Sequence, residues 1–174
     1  MKKIGMLIGV LSAVLLTSGG NAKPMTYGCD TAADRFSALE QQVDLRTFTL
    51  STQIQPNEFR KGEYAPLAQI YLESADEKNR WAVKLIAPGH KAKAALVFLE
   101  RTENGKEEEP FPIGSVKLGE KLSISLKVTD GKKISFKIGD LDGNPEMNLG
   151  ETASLAVICS TGDFIFSDLE WSEK

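Results

Sequence analysis

The chain has 174 residues, 41% of them hydrophobic, and a formal net charge of −3. That length suits one domain of ordinary size with room for a real core. Mild acidity without a basic cluster argues against a nucleic-acid partner.

The chain opens on the basic head Met1-Lys2-Lys3, followed by an apolar run from Ile4 to Leu16 and small polar residues ending in Gly20-Asn21-Ala22. This is the pattern of a bacterial secretory signal peptide, residues 1–22, with cleavage expected between Ala22 and Lys23. The apolar run is about 13 residues, short of the roughly 20 that a spanning helix needs. The first cysteine, Cys29, lies too far on for a lipoprotein anchor. No later stretch is long enough to span a bilayer, so residues 23–174 are expected as a single periplasmic or secreted domain. Loss of Lys2 and Lys3 leaves that domain at −5.

The cysteines are Cys29 and Cys159. In an oxidising compartment a lone pair of this kind is expected as a disulfide. There is no CxxC motif, and His90 is the single histidine, so a metal or redox pair is not the expectation.

Thr31 to Val43 has Phe36, Leu39 and Val43 at helical spacing, Asp30 or Thr31 as a cap and Asp34 in the first turn, which predicts a short N-terminal helix. From there on the apolar period is two. Thr47–Gln55 turns Phe48, Leu50, Thr52 and Ile54 to one face. Leu67–Ser74 sets Ala68, Ile70 and Leu72 against Gln69, Tyr71 and Glu73. Arg80–Ile86 sets Trp81, Val83 and Leu85 against Ala82, Lys84 and Ile86. Ala94–Arg101 is apolar on both faces until Glu100, which predicts a central, covered strand. Leu122–Thr129 alternates Leu122, Ile124, Leu126 and Val128 with Ser123, Ser125, Lys127 and Thr129. Ile134–Ile138, Thr152–Cys159 and Phe164–Trp171 complete the strands. Asp130-Gly131 is a strong hairpin signal. Asn104-Gly105 opens an acidic loop through Glu107, Glu108 and Glu109. Eight or more strands in about 150 residues predict an all-β antiparallel sandwich.

Three stretches carry a family resemblance. Val43-Asp44-Leu45-Arg46-Thr47-Phe48-Thr49-Leu50 resembles an opening strand of the form d-l-x-x-F-x-l. Leu122 to Ile138 resembles paired strands around a d-G hairpin. Ser160 to Trp171, with Phe164-Ile165-Phe166-Ser167-Asp168-Leu169-Glu170-Trp171, resembles a closing F-x-d-l-x-w strand. Over about Asp44 to Trp171 the chain resembles the concanavalin A-like jelly-roll superfamily, of the laminin-G, lectin and glucanase type. The resemblance implies a jelly-roll-like sandwich. It does not choose among the lectins, glycosidases and adhesive modules built on that fold.

Glycosidases need two carboxylates flanking the scissile bond. The E-x-D-x-x-E string of the glucanase branch is missing. The nearest cluster, Glu73-Ser74-Ala75-Asp76-Glu77, runs off a strand end into a turn and does not share one strand face. Nucleophilic triads need a base, and His90 lies in the turn Pro88-Gly89-His90-Lys91. Asp140-Leu141-Asp142-Gly143-Asn144 resembles a fragment of a calcium loop, with Asp140 and Asp142 as weak candidate ligands. It lacks a closing Glu, and an Asx-type turn accounts for it. No cofactor is otherwise expected.

Sugar recognition wants an exposed ring beside hydrogen-bonding groups. Trp81 and Trp171 alternate with core residues and are expected inside. Tyr71 shares its face with Gln69 and Glu73, and Lys84 and Arg101 could join it from neighbouring strands. These five are the candidate ligand-binding residues. The expected function is a non-catalytic binding module for a glycan or envelope component. The alternatives are an envelope protein-interaction role (assembly factor, inhibitor or immunity protein) and a divergent glycoside hydrolase.

Overall fold

The computed structural model describes residues 23–173, so the expected signal peptide lies outside the described residues. In chain order the strands are β1 (Met25–Asp30), β2 (Phe36–Asp44), β3 (Thr47–Phe59), β4 (Leu67–Ser74), β5 (Arg80–Ile86), β6 (Ala94–Glu103), β7 (Lys106–Glu107), β8 (Phe111–Lys117), β9 (Leu122–Thr129), β10 (Lys133–Ile138), β11 (Leu141–Gly143), β12 (Thr152–Ser160) and β13 (Gly162–Glu173). Every ladder is antiparallel. Six strands form one sheet in the order β1-β13-β3-β9-β10-β11. Seven form the other as β2-β12-β4-β5-β6-β7, with β8 also paired to β6.

The alternation read from sequence explains why the sheets stack. Phe48, Leu50, Ile54, Ile124, Leu126, Val128, Phe164 and Phe166 are buried under the six-stranded sheet. They meet Ile70, Leu72, Trp81, Val83, Leu85, Leu155 and Val157 from the other sheet in one continuous core. Each such side chain contributes about 1.5–3 kcal/mol when fully buried. Trp81 packs on Phe136 across the layers, with ring centroids 5.6 Å apart. Trp171 pairs with Leu50 and is half-buried against this core, on the inner face as expected.

Two expectations are corrected. Residues 36–44 are strand, not helix. Asp34 adopts a positive φ of 58° in the preceding turn, which ends any helical run there. Thr31 does not cap a helix; its hydroxyl donates to the Gly162 carbonyl at 3.0 Å. Nine register pairs then bind β2 to β12, and Leu39 and Val43 fall on the inner face by period two. The apolar strand β6 is not covered on both sides either: Leu96 on its outer face is 43% exposed. The sequence reading also missed β1, the short strands β7 and β11, and β8, which runs from just past Pro110.

Cys29 and Cys159 are disulfide-bonded, with Cα atoms 6.1 Å apart. Cys29 lies on β1 and Cys159 on β12, so the bond ties one sheet to the other. Beside it, Tyr27 Oη and Ser37 Oγ meet at 2.6 Å, again across the layers.

The β9–β10 turn uses Asp130 and Gly131 with positive φ of 55° and 60°. The Gly131 amide donates to the Leu45 carbonyl at 3.0 Å and its carbonyl accepts from the Leu149 amide at 2.8 Å. A Cβ there would sit 2.0 Å from the Gly150 carbonyl oxygen. Gly131→Ala is therefore expected to cost at least about 2 kcal/mol through clash and left-handed strain. A thermal melt within about 2 °C of wild type would contradict this account of the turn.

Candidate functional site

Antiparallel register decides which side chains share a face, because directly opposed residues point the same way. On the outer face of the seven-stranded sheet, Gln69 lies opposite Lys84, Tyr71 opposite Ala82, and Glu73 opposite Arg80. Gln69, Tyr71, Glu73 and Lys84 are thus neighbours, as expected. Arg101 is not with them. It pairs with the inward Trp81 and so belongs to the inner face, near the end of β6, within 3.6 Å of Glu103 and 3.5 Å of Glu108. Glu100 takes its place on the outer face, opposite Ala82.

The groups around Tyr71 already satisfy one another. Lys84 Nζ donates to Glu100 Oε1 at 2.9 Å, and Gln69 Nε2 to Glu100 Oε2 at 3.4 Å. The Arg80 guanidinium lies 5.7 Å from the Tyr71 ring centroid, a cation–π distance that occupies the face a sugar would stack on. Burial pushes the Tyr71 phenol above its ordinary value, with Glu73 and Glu40 adding to the rise and Arg80 opposing it. Burial also raises the Glu73 carboxyl, against the pull of Arg80. Toward one end of this sheet the outer face turns apolar. Ser160, Leu67, Ile86 and Leu96 form one row that begins at Phe36, which is 74% exposed. Ala38, Ile158 and Phe98 lie in the next row.

A groove lies on the opposite side of the molecule, over the six-stranded sheet. Two rows of outward side chains cross it. The first is Glu170-Ser51-Ser125-Lys137-Asp142. The second is Ser172-Thr49-Lys127-Ser135. Short hydroxyl side chains (Thr49, Ser51, Ser125, Ser135) make most of the floor, with Lys127 rising between them and Glu170, Lys137 and Asp142 toward the ends of the first row. This difference in length opens a groove of about 740 Å³ across five strands, from Glu170 on β13 to Asp142 on β11. A volume of this size fits a bound small molecule or short chain. Ser51 Oγ donates to Glu170 Oε1 at 3.0 Å, and the Thr49 and Ser172 hydroxyls meet at 2.8 Å. The groove continues past Gln53, Ser123 and Asp168 on one side. Asp168 reaches it from a bulge in β13, with a positive φ of 53°.

The sequence reading placed Ser123, Ser125, Lys127 and Thr129 outward but drew no site from them. The available signal is the outward row of β3, β9 and β10, made of serine, threonine and lysine with hardly a bulky residue. Asp140 and Asp142 are exposed beside the β10–β11 turn, and no group of three or more His, Cys, Asp or Glu side chains converges among the described residues. His90 is exposed in its turn. Asp142 and Glu170 stand four strand spacings apart, about 19 Å, well beyond the roughly 5–10 Å of paired glycosidase carboxylates. No helix among the described residues is long and apolar enough to cross a membrane.

No protein-family model matches this chain, and no curated protein matches it. Solved structures do. A polysaccharide lyase of family 18 aligns with a TM-score of 0.58 at 8% identity, over 84% of this chain and 87% of that one. The CBM2 module of the evolved Dit protein of Lactobacillus casei BL23 phage J-1 aligns at 0.54 and 8% identity, over 90% and 80%. Sheep galectin-11 aligns at 0.51 and 11% identity, over 77% and 96%. At such identities the likeness is one of fold alone: the chain shares a jelly-roll-like antiparallel sandwich with these proteins, in keeping with the concanavalin A-like resemblance.

Proposed function

We propose that this chain is a non-catalytic binding module of the bacterial periplasm or exterior, holding a glycan in the groove over the six-stranded sheet. The observation that carries this reading is the hydroxyl-floored groove itself. Sugars are read by many modest hydrogen bonds, and a row of serine and threonine flanked by carboxylate and ammonium groups offers donors and acceptors along its whole length. The fold is one on which a galectin and a carbohydrate-binding module are also built. The inter-sheet disulfide and the signal-peptide pattern support an oxidising destination.

A second reading rests on a different observation. The apolar end of the outer face of the seven-stranded sheet, with exposed Phe36 and Leu96 near Gln69, Tyr71, Glu73 and Lys84, suits an envelope protein partner. A divergent glycoside hydrolase is disfavoured because Asp142 and Glu170, at the two ends of the main groove, stand about 19 Å apart.

A glycan array with the intact protein tests the first reading. Ser125→Trp fills the groove floor and is expected to weaken glycan binding at least about tenfold, roughly 1.4 kcal/mol. Tyr71→Ala should leave it unchanged. The reverse pattern would move the site to the seven-stranded sheet, and no binding by the wild type to any glycan would end the reading.

A further inference from the structure

Three lysines surround one serine in the groove. Lys127 on β9 lies directly opposite Ser135 on β10, and Lys133 and Lys137 flank Ser135 two residues away on either side of the same strand. All four side chains point outward and are exposed. A directly opposed pair is about 5 Å apart and residues two apart on one strand about 7 Å, so each ammonium group can swing over the Ser135 hydroxyl. None of the three has a carboxylate oxygen within 4.0 Å among the described residues.

The acidic groups nearby stand on the outer side. Asp142 faces Lys137 across β10–β11, and Glu146 faces Lys133 through an isolated bridge. Glu170 lies at the far end of the groove. Like charges on adjacent sheet positions repel and cost stability. Three of them gathered around one serine, none within 4.0 Å of a carboxylate oxygen among the described residues and Lys127 with no carboxylate opposite it in the register, in a chain whose net charge is −3, are not a by-product of general basicity. Neutral sugars give ammonium groups only uncharged acceptors. A carboxylate gives them charge-assisted hydrogen bonds, shorter and about twice as strong.

We propose that the groove selects an acidic glycan, with the carboxylate of a uronic acid residue seated at Ser135 between Lys127, Lys133 and Lys137. This rests on the glycan reading above and names its ligand class. The Ser135 hydroxyl donates to one carboxylate oxygen while the ammonium groups close on both. The serine floor of β3 and β9 carries the neighbouring sugars toward Glu170.

The test is calorimetric titration of the intact protein with a panel of short oligouronates, each paired with its carboxyl-reduced form of the same ring and linkage. The expected result is at least one uronate bound about tenfold or more tightly than its reduced partner. That binding should weaken with added salt, as screening requires. Lys127→Gln and Lys137→Gln should each weaken it about tenfold, and Lys127→Arg should largely restore it. Melting curves of the variants should match wild type, since these side chains are exposed.

Equal binding of a uronate and its reduced form would overturn the proposal and leave the glycan reading standing. So would lysine variants that bind like wild type, or neutral glycans bound while every uronate is ignored. Dextran sulfate bound as tightly through the same lysines would reduce the site to bulk charge and also overturn it. No binding to any glycan, acidic or neutral, would remove both readings together.

Discussion

Replacing Cys29 and Cys159 together by alanine is expected to lower the free energy of unfolding by about 5 kcal/mol, the chain-entropy value for so long a closed loop. The two residues are 130 apart in sequence, and both are fully buried in the core. The bond joins the sheets at the end where β1 lies at the edge of one and β12 lies inside the other, so it limits both the unfolded chain and the separation of the layers. Alanine is the informative replacement, because a buried serine hydroxyl would add an unsatisfied group of its own. Urea denaturation with and without reductant checks the effect. Wild type should fall to the variant's midpoint on reduction, and the variant should not respond. A difference below about 1 kcal/mol would mean that the layers hold without the bond.

Trp81→Ala carries the second large effect, an expected loss of about 3–5 kcal/mol. Trp81 is among the largest fully buried side chains, lies between Leu72 and Arg101 in the register, and packs on Phe136 from the other sheet. Its Nε1 has no hydrogen-bond partner among the described residues. A buried orphan donor costs about 1–3 kcal/mol, so phenylalanine loses volume but also removes that penalty. Trp81→Phe is therefore expected to cost about 1 kcal/mol or less, far below the alanine variant. Chemical denaturation of the pair decides the matter. If phenylalanine proves as damaging as alanine, the indole N–H has a partner, such as a bound water, that the packing does not reveal.

How much of this was legible in the sequence depended on the range of the forces involved. Strands β9 and β10 are legible because Leu122, Ile124, Leu126, Val128, Ile134, Phe136 and Ile138 alternate without a break, and the Asp130-Gly131 turn between them is local chemistry. The disulfide is legible because two cysteines in an oxidising compartment leave one pairing. The segment 31–43 is not, because Phe36, Leu39 and Val43 satisfy a helical spacing while Leu39 and Val43 also satisfy period two. What decides is pairing with β12, far along the chain, which local periodicity does not register.

Arg101 illustrates the same limit at the site. Its distance from Tyr71 follows from the β5–β6 register, which sets Trp81 opposite it. The groove is harder still. Its residues come from five strands, and no one of those strands looks unusual alone. The site exists in the order β13-β3-β9-β10-β11, which is a property of topology.

That wiring also bears on how the protein comes into being. β1 pairs with β13, β2 with β12, and β3 with β13 and β9. As a ribosome makes the chain from its N-terminus, residues 25–44 therefore have no partner strand until residues 152–173 exist. The first strands made are among the last to be paired, so completion of the fold waits for the end of the chain, although β4–β5–β6 and β3–β9–β10 can pair before it. The rate of that completion is governed by closing the longest loops in the chain. Until then the molecule travels as open strand edges, the kind of intermediate that holding chaperones protect from aggregation.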